Sequence, residues 1–245
     1  MNDSAGKLQR FGVHPWQTMP AEKIVASKGY SSEDGFFLAL ALVFNDLKGI
    51  VLYEAQLHPH QPESVNTAGQ AQWMGVIIQT RRLATGIICE LLKLIETHKA
   101  VLATARFRKI LEATPPEARK SWDTLTALAL GNDDGDPALA AAIKRIRNQG
   151  AFHYYDPKDL TRGYQQAYFQ NGLGEEARAS VGLDWEATRY FFADEAAAAL
   201  MMRAASEKGI DDYQKRLGDV IRTIASALAA VVTLHLVERR DGVLE

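Results

Sequence analysis

The sequence predicts an all-α fold: a helical bundle with an irregular N-terminal arm and a loop-rich insertion before the last two helices. Three observations predict it. Apolar residues recur three and four apart through several long stretches. Helix start and stop residues punctuate those stretches. No stretch shows the strict apolar–polar alternation of a half-buried strand.

The elements follow in order. Residues 1 to about 29 carry Gly, Pro and scattered polar residues without a period, so they read as an arm, with Trp16 as an anchor onto the body. Residues 30–245 read as one all-α domain. Its first helix starts at Ser31-Ser32-Glu33-Asp34, a cap followed by acidic residues that suit the positive helix end. Phe36, Phe37, Leu40, Val43, Phe44, Leu47, Ile50 and Val51 give its apolar face, and it fades near His58-Pro59-His60-Gln61-Pro62. A second long helix spans about Ala68 to His98, with Trp73, Ile77, Thr80, Ala84, Ile87, Leu91, Ile95 and His98 as its stripe. A shorter helix covers residues 101–113. Thr114-Pro115-Pro116-Glu117 starts the next, with Thr114 as the cap and proline in the first turn, and Gly131 ends it. Asp136-Pro137 repeats this start logic. Residues 157–182 form a long loop or broken helix. Asp184 caps a helix to about Ser206, and a last helix runs from about 210 to 238. His98 and His235 lie on apolar stripes and read as core or interface histidines.

Composition narrows the classes. The 245 residues are 47% hydrophobic, enough for one sizeable core. With 28 basic and 30 acidic residues the net charge is −2, which excludes a globally basic nucleic-acid coat but leaves room for a local patch. The single cysteine, Cys89, rules out an intrachain disulfide, and its apolar neighbours mark it as a buried small hydrophobe. The start MNDSAGKLQRF lacks the apolar core of a signal peptide. The longest apolar run, Ile224 to Val237, falls short of the roughly 20 residues a membrane span needs. A cytoplasmic protein with no membrane partner is the expectation.

The chemistry concentrates in Arg147-Asn148-Gln149-Gly150-Ala151-Phe152-His153-Tyr154-Tyr155. On a helix opened by Asp136, Leu139, Ile143 and Ile146 form the inward stripe. Arg147 falls on its shoulder, about 80° from Leu139, while Lys144 and Arg145 face solvent. An arginine there needs a partner, a cleft or an interface, because an unpaired buried charge is costly. On a straight helix Arg147 and His153 would stand about 120° and about 9 Å apart. A kink at Gly150, or a site shared by two subunits, is needed to join them.

Arg147, a polar residue at 148 and His153 match the R-x(4–6)-H signature of the HEPN superfamily (higher eukaryotes and prokaryotes nucleotide-binding domains), which the segment resembles. The resemblance covers about residues 30 to 160. It implies a metal-independent endoribonuclease of toxin–antitoxin or antiviral-defence systems, without a cofactor. Such enzymes act as homodimers with both motifs on one cleft, so the implied partners are RNA, a second copy and an antitoxin or defence-system protein. His153 would be general base or acid, Arg147 the phosphate ligand and Asn148 the residue that orients either. Lys144, Arg145, Tyr154 and Tyr155 would contact substrate. In one toxin branch a tyrosine two residues after the histidine is modified by a partner nucleotidyltransferase, and Tyr155 holds that place. The competing reading is a non-catalytic RNA- or nucleotide-binding protein, or a scaffold that dimerises through its long helices, with Arg147 and His153 in structural pairs.

Other candidates carry less. His58-Pro59-His60 lacks the further ligands a metal site needs. Asn132-Asp133-Asp134-Gly135-Asp136 lacks the bidentate glutamate of a calcium loop. No phosphate-binding glycine loop or nucleophile elbow is present. Arg81, Arg82, Arg106, Arg108, Lys109, Arg119 and Lys120 are candidates for an RNA-facing patch with Lys144 and Arg145, against the plainer reading of solvated helix faces.

Overall fold

A computed structural model of the chain describes residues 19–25, 31–64, 67–131, 136–148, 158–170, 176–181, 188–205 and 210–241. Most of the described residues are helical, and none of them forms a strand. One isolated antiparallel bridge joins Ser180 to Arg189. The predicted all-α bundle is the observed architecture.

Within the arm, α1 is a single turn, Ala21–Ile24; Trp16 lies outside the described residues. Helix α2, Ser32–Leu57, starts where the Ser31 hydroxyl accepts the Asp34 amide at 3.1 Å. It ends in a 3-10 turn over His58–His60. Helix α3, Ala68–Thr97, is capped by Thr67. The Trp73 indole N–H donates to the Leu57 carbonyl at 3.1 Å and closes the α2–α3 hairpin. The helix expected over 101–113 is two pieces, α4 (Lys99–Leu102) and α5 (Ala105–Ala113). Thr104 separates them because its hydroxyl caps α5 at the Phe107 amide.

Helix α6 is Pro116–Leu130, so its start lies one residue later than predicted: Pro115 is the cap residue. The Thr114 hydroxyl turns back instead to donate to the Ile110 carbonyl at 2.8 Å, closing the end of α5. Gly131 terminates α6 with φ +69°, a left-handed conformation open to glycine. Asp136 caps α7, Pro137–Ile146, by accepting the Leu139 amide at 2.9 Å.

In the 157–182 segment the broken-helix alternative holds. Helix α8 (Lys158–Gln165) passes into a π-helical turn, Gln166–Gln170. Helix α9 spans Phe191–Ala205, not Asp184 onward: Asp184 lies outside the described residues, and Thr188 to Tyr190 are not helical. Arg189 is held in the bridge to Ser180, and its Nε meets Asp194 at 2.8 Å. The last helix, α10, is Ile210–Asp241.

Helices α2, α3, α6 and α10 form a closed ring in which each packs on the next, a four-helix bundle. Helices α7 and α9 lie on the other flank of α3, with α8 against α9. The main core joins Phe36, Phe37, Leu40, Ile88, Leu91, Ile95, Phe107, Trp122, Leu125 and Ile143 with Leu217, Ile224, Leu228 and Val231 of α10. A smaller cluster of Ala167, Tyr168 and Ala199 seats α8 on α9. There Gly163 approaches the Ala196 backbone so closely that a Cβ would overlap the carbonyl oxygen.

One end of the bundle holds a polar network. Arg106 of α5 meets Glu238 through Nε at 3.1 Å and Glu33 through Nη1 at 3.1 Å. Its Nη2 donates to Nδ1 of His235 at 3.2 Å. Arg239 pairs with Asp34. His235 is 2% exposed and stacks on Phe37, ring centroids 3.7 Å apart. Burial, then the charges of Arg106 and Arg239, push its pKa down to about 4.

Two helical stretches, Ser32–His60 and Lys215–Arg240, are long and apolar enough by length and composition to cross a membrane, with mean hydropathies of 1.8 and 1.9. The run Ile224 to Val237 is only part of the second stretch, and the first was passed over because isolated charges such as Asp46 and Lys48 break a run while lowering its average only modestly. Both are ring helices of the bundle, yet only 22% and 28% of these apolar stretches is buried within it, where the core helix of a soluble protein is mostly buried.

A depressed histidine pKa leaves the unfolded chain binding more protons between the folded and unfolded values. The His235 contribution is therefore complete above about pH 6.5 and is lost as pH falls towards about 4. Glu238, held below its ordinary range mainly by the Arg106 hydrogen bond, adds a loss in the same direction at lower pH. Thermal melts should show Tm falling from pH 7 to 4.5, with a shallower slope in His235→Phe; an unchanged slope would remove His235 from the account. Gly163→Ala should cost about 1–3 kcal/mol in urea unfolding, the range for overpacking a tight contact. Wild-type stability in that variant would mean α8 and α9 are free to separate.

Candidate functional site

Arg147 and Asn148 sit where α7 runs out. Ile143 and Ile146 are buried in the core, which fixes the orientation of the last turn. Beyond Ile146 the backbone continues through Arg147 and Asn148 as a π-type turn. The Arg147 amide reaches the carbonyls of both Ile143 and Lys144. Such widened turns place side chains off the α-helical count and recur at functional sites.

Arg147 finds a partner in Glu90, towards the C-terminal end of α3. Arg147 Nη2 meets Glu90 Oε1 at 3.1 Å, and Nη1 donates to Asn148 Oδ1 at 3.2 Å. The arginine side chain is 35% exposed and the glutamate 55%, so the pair lies in water's reach. A pair this exposed is worth about 0–1 kcal/mol. A charge-assisted hydrogen bond from arginine to an anion is worth about 1.5–3 kcal/mol. Arg147 is thus oriented by Glu90 without being committed to it.

The two residues line a depression of about 250 Å³ between α3, α7 and the end of α6. Lys93, Lys144 and Arg147 supply positive charge, Glu90 and Glu96 negative charge, and Leu92, Leu128 and Ala129 an apolar floor. Cys89 also lines it and is half-buried, which corrects its reading as an interior residue. Burial, and then Glu90, push the Cys89 thiol above its ordinary pKa, against the pull of Arg147, Lys144 and Lys93.

The structure therefore brings together Arg147, Asn148 and Lys144. Arg145 is exposed but does not line the depression. His153, Tyr154 and Tyr155 lie outside the described residues, as do Gly150 and the segment 132–135. Sequence reasoning missed Glu90 and Lys93. The signal available was the need of Arg147 for a counter-charge, but a partner 57 residues away has no local signature.

Four of the basic residues weighed for an RNA-facing patch have partners in the fold. Arg81 contacts Glu54 at 3.0 Å, and Arg106 lies inside the network described above. Arg108 donates to the Ala103 carbonyl at 2.7 Å, and Arg119 to the carbonyls of Glu112 and Thr114. These side chains close helix ends and fix helix pairs. Among the described residues no group of three or more His, Cys, Asp or Glu is placed to hold a metal ion.

A second cavity, about 240 Å³, opens between α3 and α9 beside Arg178, Asp194 and Glu195. Its carboxylates are already occupied. Glu195 accepts from Tyr168 and from Arg178, the latter at 2.6 Å, and Asp194 accepts from Arg189. Burial, reinforced by Glu195, raises the Tyr168 pKa to about 12, so that hydroxyl stays a donor.

No protein-family model matches the chain, and neither a curated protein nor a solved structure is significantly similar to it. The class that fold and site define is an all-α helical-bundle protein with a mixed-charge, net cationic depression beside its second layer.

The raised Cys89 pKa carries a check on this geometry. At pH 8 the thiol should react with iodoacetamide more slowly than a free cysteine in the unfolded chain, because less of it is thiolate. Equal rates would place Cys89 outside the depression.

Proposed function

We propose that the protein is a metal-independent endoribonuclease of the HEPN type. The observation that carries the reading is Arg147, held at the rim of an open depression with Lys144, Lys93 and Asn148 rather than in a buried pair. Its guanidinium can take a phosphate bidentately, and the lysines extend the positive field along a nucleic-acid backbone. His153, six residues on, is of the residue type that serves most often as a general acid or base.

In this reading His153 removes the proton from a ribose 2′-hydroxyl. The 2′-oxygen attacks the adjacent phosphorus, the bond to the 5′-oxygen breaks, and that oxygen leaves with a proton from an acid in the site. Arg147 offsets the charge that grows on the non-bridging oxygens. Asn148, whose amide oxygen already accepts from Arg147, orients the guanidinium. The products carry a 2′,3′-cyclic phosphate and a 5′-hydroxyl. A homodimer would set two such motifs on one cleft. Toxin or antiviral-defence biology, with an antitoxin or defence-system partner and a cytoplasmic site of action, belongs to the same reading.

One observation favours a second reading, a helical scaffold. The outer face of α2 exposes Leu38, Leu42 and Tyr53, which suits association through a long helix.

The two readings part in one assay. Purified protein incubated with an RNA pool in EDTA should cleave it. His153→Ala and Arg147→Ala should each lower the rate by about 100-fold or more while retaining the helical circular-dichroism spectrum. No cleavage by wild type, or cleavage that survives both substitutions, favours the scaffold.

A further inference from the structure

Glu90 is an unusual neighbour for a phosphate-binding arginine, because it carries the charge that phosphate carries. Its placement is specific. It lies on the same stretch of α3 as Lys93, on the wall of the depression opposite Lys144 and Arg147 of α7. The contact runs from one guanidinium nitrogen to one carboxylate oxygen, not through the two-pronged arrangement of a structural pair. More than half of the Glu90 side chain is in solvent, so the fold does not rest on it.

We propose that Glu90 is a built-in competitor for the anion site: its carboxylate holds Arg147 oriented in the free protein, and a backbone phosphate of single-stranded RNA displaces it on binding. The inference rests on the reading of Arg147 as a phosphate ligand and adds to it a positioning and gating residue on a different helix. In the free protein Glu90 keeps the guanidinium at the rim of the depression. On binding, the phosphate takes its place, and the carboxylate moves into solvent, where its exposure leaves little to lose. Lys93 and Lys144, on facing walls, then flank the bound phosphate. The presence of Glu90 also lowers affinity for adventitious anions, since any ligand must outcompete a tethered carboxylate.

The test is a double-substitution cycle on binding by the full chain. The probe is a fluorescein-labelled, uncleavable 2′-O-methyl single-stranded RNA, read by anisotropy at fixed salt. The proteins are wild type, Glu90→Gln, Arg147→Ala, the double variant, and Glu96→Gln as a charge control on the same wall. Thermal melts verify that each is folded. Glu90→Gln should bind tighter than wild type by up to about fivefold, the upper end for release of an exposed ion pair. The gain should disappear in the Arg147→Ala background and should exceed that of Glu96→Gln. A gain that persists without Arg147, or equals that of Glu96→Gln, is a general charge effect and overturns the proposal. So does unchanged or weaker binding by Glu90→Gln. Failure of the underlying reading looks different: Arg147→Ala then binds as wild type does. If no variant binds the probe, both are overturned.

Discussion

A single guanidinium holds the bundle closed at one end. Arg106, on a nine-residue helix, reaches Glu33 at the start of α2 and both Glu238 and His235 near the end of α10. These partners lie up to 132 residues from Arg106 in the chain. The network sits against Phe36, Phe37, Phe107 and Trp122, whose rings pack edge-on and tilted around one another. His235 joins the two systems, stacked on Phe37 on its face and bonded to Arg106 at its edge. With partners 14% and 22% exposed, removal of one charge leaves the others poorly solvated, a loss on the order of 3–5 kcal/mol when such pairs are fully buried. The closed ring of α2, α3, α6 and α10 depends on this end being pinned.

Arg147 is the opposite case in the same molecule. Among the described residues it has a single carboxylate partner, about half of it in water, and it stands where α7 leaves the core in a widened turn. Both arginines are tied to acidic residues far away in sequence. The difference in burial and in the number of acceptors makes Arg106 a structural tie and leaves Arg147 able to exchange its partner. The buried stripe Leu139, Ile143 and Ile146 is rigid and fixes where the guanidinium starts from. The proposed chemistry uses that contrast: a fixed scaffold, and a cation at its rim whose present counter-ion an incoming phosphate can replace.

Much of the fold was legible because helix starts are local. Ser31 and Asp136 cap as read, and Gly131 ends its helix, since each acts on amides or carbonyls within four residues. Thr114 shows the limit of such reading. Thr-Pro-Pro is compatible with either proline as the first helical residue, and the hydroxyl found a nearer acceptor in the helix behind it. The start of α9 was misread for a different reason: Arg189 is drawn into a bridge with Ser180 and an ion pair with Asp194, and neither leaves a periodic trace. The site was half legible. Geometry on an ideal helix placed Arg147 on the shoulder of a buried stripe and required a partner, but it could not name Glu90. Charge in a sequence does not show its acceptors, whether a distant carboxylate such as Glu238 for Arg106 or a nearby backbone carbonyl such as that of Thr114 for Arg119.

The central claim is that Arg147 and His153 act on the ribose 2′-hydroxyl and its adjacent phosphate. The most direct measurement is the chemistry of the cut ends after incubation of wild-type protein with a defined RNA in EDTA. The account predicts 2′,3′-cyclic phosphate on one fragment and 5′-hydroxyl on the other, and no cut at a position where the 2′-hydroxyl is replaced by hydrogen. Fragments ending in 3′-hydroxyl and 5′-phosphate, or cleavage at the deoxy position, would contradict it.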